Sequence, residues 1–289
     1  MTETEVEDRY AVIGNPIGHS RSPQIHARLA QATGQRMHYA ALEGRIGHFA
    51  EEVARFRRAG GKGLNVTAPF KMDAFALAAR RSASARAAQV ANALKWDDDG
   101  VMDAENFDGA GLVRDVTRNL RRPLRGQRIL LLGAGGAARG VLMPLLHEVP
   151  AALWIANRTA QKAHALAAAA HAAGGAGLVQ ACGWNELQSA AAPPFDVVFN
   201  TTSASWQAGA LPLPAGIFAA GALAYELAYG QGMTAFLQQA RQGGAAQLAD
   251  GVGMLVEQAA LTFAWWRGVE VPPHETQALI AQLAVPLES

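Results

Sequence analysis

Residues 128–139, RILLLGAGGAAR, constrain this chain more than any other stretch. The apolar residues 129–132 run straight into Gly133-x-Gly135-x-x-Ala138 and then into a helix-forming segment. A buried strand that breaks on glycine and re-enters as a helix reads as a dinucleotide-binding turn. Gly133 permits the sharp turn, Gly135 lets backbone approach a pyrophosphate, and Ala138 stands where helix and strand pack closely. The free N–H groups of Ala134, Gly135, Gly136 and Ala137 then face the phosphates. Further on, the next apolar run closes with Asn157-Arg158-Thr159, and no carboxylate stands there to hold the ribose hydroxyls of NAD. Arg158, with Asn157 and Thr159 as hydrogen-bond partners and Lys162 one helical turn away, suits a 2′-phosphate, so the expected cofactor is NADP. The competing reading is that Thr159 only caps a helix and Arg158 is solvated.

Such a turn implies alternating strands and helices, and short apolar runs at 10–13, 64–66, 153–156 and 197–199 supply further strands. The expected class is α/β with parallel sheets, arranged as two domains. A chain of 289 residues, half of them hydrophobic, is long enough for two cores. The first domain is expected over 1–108, completed by 251–289; the second, over 109–250, is a Rossmann-type doubly wound domain. The segment 121–126, basic and broken by Pro and Gly, leads into it. Asp97-Asp98-Asp99-Gly100 reads as a hairpin turn, and helices are expected at 109–120, 163–173, 252–266 and 274–283.

Charge narrows the partners. Lys plus Arg total 25 against 24 Asp plus Glu, leaving no long-range field for nucleic acid or an anionic membrane, so a small molecule is the expected partner. Cys182 is the only cysteine, which excludes an internal disulfide and a cysteine-based zinc site and fits a reducing compartment. No metal is expected. The N-terminus is acidic and polar, and no run stays apolar long enough to cross a bilayer, so a cytoplasmic location is expected.

Three loops carry candidate chemistry. Residues 14–23, GNPIGHSRSP, leave a strand and enter a helix, placing Ser20 and Ser22 at the helix start. A single serine there is an ordinary N-cap; two can also grip a carboxylate, because donors and the positive end of the dipole point together. In residues 60–71, GGKGLNVTAPFK, Pro69 opens a helix and puts Lys71 in its first turn, where the dipole disfavours a cation. In Glu105-Asn106-Phe107-Asp108-Gly109 a carboxylate stands at another helix start, where it could equally be a cap. Spacing alone does not bring Lys71 and Asp108 together.

These segments, in this order, resemble the motif set of the shikimate dehydrogenase family along essentially the whole chain. The match includes the serine loop, Asn65-Val66-Thr67-Ala68-Pro69-Phe70-Lys71, Asn92, Asn106-x-Asp108-Gly109, the glycine turn, Asn157-Arg158-Thr159, Asn200-Thr201-Thr202-Ser203 and Asp250-Gly251-x-Gly253-Met254-Leu255-Val256-x-Gln258-Ala259. The resemblance implies a substrate-binding first domain and NADP-dependent reduction of 3-dehydroshikimate to shikimate. It makes Lys71 and Asp108 the catalytic pair. Ser20 and Ser22 would hold the substrate carboxylate, with Tyr225 reaching it too. Thr67, Asn92, Asp108 and Gln258 would contact ring hydroxyls, and Thr201, Gly251 and Met254 would lie on the cofactor side. The protein would act as a monomer or homodimer.

Four positions depart from the family pattern. Phe107 and Ala93 stand where threonines are usual, Glu226 where an aspartate is common, and Ser205 where glycine is usual. Phe107 and Ala93 border the ring site, so quinate, an aminated relative of shikimate or another hydroxy acid remains an alternative substrate. A non-catalytic nucleotide-binding relative is a further alternative, opposed by retention of both Lys71 and Asp108.

Overall fold

The computed structural model describes residues 7–174, 177–189, 192–202 and 210–287. Two compact units emerge, one of residues 1–111 with 256–279, the other of 112–255 with 280–289. The boundaries therefore fall within helices: α5 (Asp108–Arg114), α10 (Val252–Arg267) and α11 (Pro273–Leu283) each begin in one unit and end in the other. The residues from 280 onward belong with the second unit, unlike the expectation that 251–289 completes the first. Leu287 packs against the second unit's core, which accounts for this.

The second unit is built on six parallel strands: β7 (Arg128–Leu132), β8 (Ala152–Asn157), β9 (Val179–Gly183), β10 (Phe195–Asn200), β11 (Phe218–Glu226) and β12 (Gln247–Asp250). Their order, β12-β11-β10-β7-β8-β9, is the doubly wound order with its switch point between β7 and β10. Ile129, Leu130, Leu131 and Leu132 are all completely buried, as a strand covered on both faces requires. Each such side chain contributes about 1.5–3 kcal/mol. Helix α6 (Gly136–His147) packs Ala138, Val141, Leu142 and Leu145 into the same core. The helix after β8, α7 (Ala160–Ala172), buries Ala163, Leu166, Ala167 and Ala170, an i, i+3, i+4, i+7 stripe that explains why so alanine-rich a segment is ordered.

The first unit carries β1 (Asp8–Gly14), β2 (Met37–Glu43), β3 (Gly61–Val66), β4 (Arg80–Arg81), β5 (Ala93–Trp96) and β6 (Met102–Glu105), in the order β2-β1-β3-β5-β6-β4. This sheet is mixed rather than parallel: β1 pairs in parallel with β2 and β3, whereas β3/β5 and β5/β6 are antiparallel. The hairpin causes the reversal. Asp97 accepts the N–H of Gly100 and also that of Val101 through Oδ1, and Gly100 adopts φ +79°, closing the turn. Helix α1 (Ser22–Ala32) buries Ile25, His26 and Leu29, and α3 (Lys71–Leu77) follows β3 directly. A core of Ile13, Phe49, Leu64, Phe70, Leu94 and Ala104 holds these pieces together.

Candidate active site

Within the first unit, Lys71 opens α3 and Asp108 opens α5, and the two meet at a lysine Nζ to Asp108 Oδ2 distance of 2.6 Å. The ion pair is largely withdrawn from water, with side-chain exposures of 19% and 6%. Asp108 is not a helix cap, since its own N–H is taken by Asn106 Oδ1 while its carboxylate faces Lys71 and Asn92. The Asn92 amide donates to Asp108 Oδ1 at 2.8 Å and to Gln258 Oε1 at 3.2 Å, and its oxygen accepts the Phe107 N–H at 2.9 Å. A buried carboxylate is costly unless both oxygens are satisfied. Here one faces an ammonium and the other an amide.

Two residues that the sequence leaves without a role support this cluster. Asn65, on β3, donates through Nδ2 to the Asn92 carbonyl and to Thr262 Oγ1, and accepts from the Tyr39 hydroxyl at 2.8 Å. Asn106 fixes the start of α5. Both stand in recognisable motifs, but their partners are 26 to 197 residues away or depend on a loop conformation, and no local pattern announces either. At the serine loop, Ser22 begins α1 and is 5% exposed, and Ser20 accepts the Ser22 N–H through Oγ at 3.3 Å. The N-cap position belongs to Arg21, which makes no side-chain cap bond, so neither serine serves as a conventional N-cap. Thr67 lies just beyond β3, its N–H bonded to Ile13 and its methyl filling the space that leaves no room for a Cβ on Gly14.

The departures from the family pattern also take definite places. Phe107 turns its ring edge-on to Trp265, with centroids 5.8 Å apart, and Lys95 Nζ sits 4.3 Å from the Trp265 ring centre. Ala93 is completely buried in β5. Glu226, at the end of β11 in the second unit, is also fully buried. It accepts from the Asn200 amide, the Thr234 hydroxyl and the Ala228 N–H, thereby tying together the loops that leave β10 and β11. Ser205 and Ser203 lie outside the described residues.

The glycine turn sits at the carboxyl end of β7, within the second unit. Gly133 adopts φ +111°, and a side chain there would strike Thr201, whose hydroxyl donates to the Leu132 carbonyl at 2.7 Å. Gly135 and Gly136, in contrast, would direct a Cβ into open space with nothing within 4 Å. With the free N–H groups at the start of the twelve-residue α6, that space fits a pyrophosphate. Beyond β8, Arg158 and Lys162 are exposed, and neither side chain engages a partner among the described residues. Thr159 occupies the N-cap position of α7 but makes no side-chain cap bond, and the Asn157 amide donates to its carbonyl. The capping alternative therefore lacks its hydrogen bond.

Tyr225, expected to reach the substrate carboxylate, has its hydroxyl committed inside the second unit. It is completely buried in the second unit, where its hydroxyl donates to Asp115 Oδ2 at 2.7 Å and accepts the Met254 N–H at 3.3 Å. Burial and the neighbouring Asp115 carboxylate hold its phenol well above the usual range, so it stays a neutral donor. Gly251 has no room for a side chain against the Leu227 carbonyl, and Gly253 has none against Asp115. Those two glycines and Tyr225 thus set the start of α10, where Met254 is nearly buried.

Comparison with known proteins agrees with both halves. Residues 12–94 match the shikimate dehydrogenase substrate binding domain, 115–207 the shikimate / quinate 5-dehydrogenase family, and 251–280 the shikimate 5′-dehydrogenase C-terminal domain. The chain is 55% identical over 276 residues to a shikimate dehydrogenase (NADP(+)) of Aromatoleum aromaticum, covering 96% of each protein. It is 50% identical to that of Nitrosospira multiformis, covering 98% of this chain and all of the relative. Among solved structures, an Ael1 enzyme from Pseudomonas putida aligns with a TM-score of 0.87 and 53% identity, over 98% of this chain and all of that one. Shikimate 5-dehydrogenase from Thermus thermophilus, in complex with NADP(H) and shikimate, aligns with a TM-score of 0.81 and 29% identity, over 96% of this chain and 99% of that one. With the substrate-domain, central and C-terminal models all matched in order and half the residues shared with curated relatives, this chain belongs to the shikimate dehydrogenase family.

Proposed function

We propose that this protein interconverts 3-dehydroshikimate and shikimate with NADP as cofactor, and that Lys71 and Asp108 handle the proton. The observation that carries this reading is the Lys71–Asp108 pair, 2.6 Å apart and anchored through Asn92. Bound NADPH supplies a hydride to the ring carbonyl carbon. As negative charge builds on the carbonyl oxygen, Lys71 Nζ donates a proton to it, and the adjacent Asp108 carboxylate holds the ammonium in place and stabilises its charge. In the reverse direction Lys71 takes the hydroxyl proton. Ser20 and Ser22 bind the substrate carboxylate, while Thr67, Asn92 and Gln258 orient ring hydroxyls. Gly133, Ala134, Gly135, Gly136, Ala137 and Thr201 line the pyrophosphate turn. Asn157, Arg158, Thr159 and Lys162 bind the 2′-phosphate, and Gly251 and Met254 border the nicotinamide.

The names of the curated relatives and of the Thermus complex support the substrate and cofactor. Phe107 meets Trp265 edge-on, which is compatible with a ring turned to packing rather than to the substrate. A lone cysteine and the lack of any long apolar helix among the described residues are compatible with action in the cytoplasm. The test is to follow NADPH formation from NADP⁺ with shikimate, quinate and aminoshikimate. Shikimate should give the highest kcat/KM by at least about tenfold, a gap of ~1.4 kcal/mol in transition-state binding. A preference for quinate, or no turnover with any of the three, refutes the reading.

A further inference from the structure

The start of α10 lies in the second unit, and its sequence denies it an ordinary cap. The first N–H groups of a helix need acceptors from outside it. Gly251 accepts the Leu255 N–H through its carbonyl at 2.9 Å and so stands at the cap position, where a side-chain oxygen would serve an N–H two or three residues on. Glycine offers none, and the Leu227 carbonyl leaves no room for one. Two other residues fill the role. Asp250 Oδ1 accepts the Val252 N–H at 3.2 Å, and the Tyr225 hydroxyl, reaching across from β11, accepts the Met254 N–H at 3.3 Å. A phenol has one proton, and Asp115 Oδ2 takes it at 2.7 Å, which leaves the phenol oxygen's lone pairs to the helix. Asp115 is itself held by the Asn119 amide at 3.0 Å, and it lies so close to Gly253 that a Cβ there would overlap its carboxylate. Residues 251–254 are thus pinned by Leu227, Asp115 and Tyr225.

We propose that Tyr225 and Asp115 are positioning residues for the nicotinamide end of the cofactor, acting through the backbone of residues 251–254. This rests on the reading that Gly251 and Met254 border the nicotinamide. Hydride transfer needs the ring at a set distance and angle from the acceptor carbon, and a misplacement of about 1 Å costs on the order of a hundredfold in rate. A helix start left without its acceptors frays. The carboxylate strengthens the cap, because a phenol that donates to a charged group accepts a second hydrogen bond more strongly than one acting alone. Removing the hydroxyl takes the acceptor from the Met254 N–H and a donor from Asp115. The glycine turn after β7 and the residues proposed to bind the 2′-phosphate after β8 are untouched. The effect is therefore confined to one end of the cofactor.

The experiment is Tyr225→Phe in the full chain, which keeps the ring beside Phe199 and removes only the hydroxyl. Asp115→Asn is the second variant, keeping the shape and giving up the charge; it decides alone if the first fails to fold. Affinities for NADPH and for adenosine 2′,5′-bisphosphate, which carries the 2′-phosphate but no nicotinamide, are measured by calorimetry, with the emission of bound NADPH as a probe of its ring. In Tyr225→Phe the parental preference for NADPH over the bisphosphate should fall about fivefold, the scale of one lost helix cap, and the emission should move toward that of free NADPH. Asp115→Asn should shift both in the same direction by less. Bisphosphate affinity should hold throughout. A loss shared equally by the two ligands marks a merely structural role and overturns the proposal, as does an unchanged preference. The parent separates the two readings. If it prefers NADPH and alters its emission while the variants match it, only the role of Tyr225 and Asp115 falls. A parent with no preference and free-like emission removes Gly251 and Met254 from the nicotinamide, and the proposal with them.

Discussion

Replacing Phe107 with Thr restores the residue usual in the family beside the catalytic carboxylate. Two effects compete: a hydroxyl introduced near the substrate and an aromatic ring removed from its packing against Trp265. Phe107 meets Trp265 edge-on at 5.8 Å, an arrangement worth about 0.5–1.5 kcal/mol beyond its area burial. The ring is only half-buried, so the smaller buried area adds about 1 kcal/mol, well below the cost of deleting a fully buried phenylalanine. The backbone link from Phe107 N–H to Asn92 Oδ1 survives substitution, so Asn92 and Asp108 stay where they are. The expected result is a destabilisation of roughly 2 kcal/mol, or about 4–8 °C in Tm, with kcat/KM for shikimate within about twofold of the parent. Thermal unfolding and steady-state kinetics on the same preparation decide it. A roughly tenfold gain in kcat/KM at an unchanged midpoint would mean that a hydrogen bond of ~1.4 kcal/mol has been recovered in the pocket, and the packing account would be wrong.

Lys71→Ala should lower kcat by about a hundredfold or more while leaving NADP binding level, and near-parental turnover would remove the lysine from the proton step. Arg158→Ala should weaken NADP far more than NAD, because only NADP carries the 2′-phosphate; equal losses in calorimetric titrations would reduce Arg158 to a structural role. His26 gives a pH signature. Burial drives its imidazole down to about 3, opposed by the neighbouring Asn65, and neither ring nitrogen has a hydrogen-bond partner. The unfolded chain binds that proton below about pH 6.5 and the folded chain does not until about pH 3, so stability is full above 6.5 and falls with acid by up to about 1.4 kcal/mol per pH unit. His26→Phe should flatten urea-unfolding stability between pH 6.5 and about 4 relative to the parent, and an equal acid slope in both proteins would assign the loss to other groups.

Much of this molecule is written locally. The buried run 129–132 followed by Gly133 and Gly135 determines a strand, a turn at positive φ and a helix, because only glycine tolerates that backbone and the close approach of Thr201. The hairpin at Asp97–Gly100 and the helices over Ala160–Ala172 and Val252–Arg267 follow from turn chemistry and periodicity in the same way. The edge strand β2, MHYAALE, is different: its burial alternates weakly, and it is a strand only because β1 pairs along its whole length. The mixed character of the first sheet is likewise a consequence of the hairpin inserting β5 beside β3, which no single segment specifies.

The site divides along the same line. Sequence determines which side chains exist and which stand at helix starts: Lys71, Asp108, Ser22 and Arg158. Tertiary structure alone decides that Lys71 and Asp108 touch, that Asn92 reaches the second carboxylate oxygen, and that Tyr39 donates to Asn65. It also decides that Tyr225, which motif matching singled out, spends its hydroxyl on Asp115 inside the second unit. The physical reason is reach. Backbone conformation responds to neighbours within a few residues, whereas a buried hydrogen bond is settled by whichever partner the packed core brings within about 3 Å, at any distance along the chain.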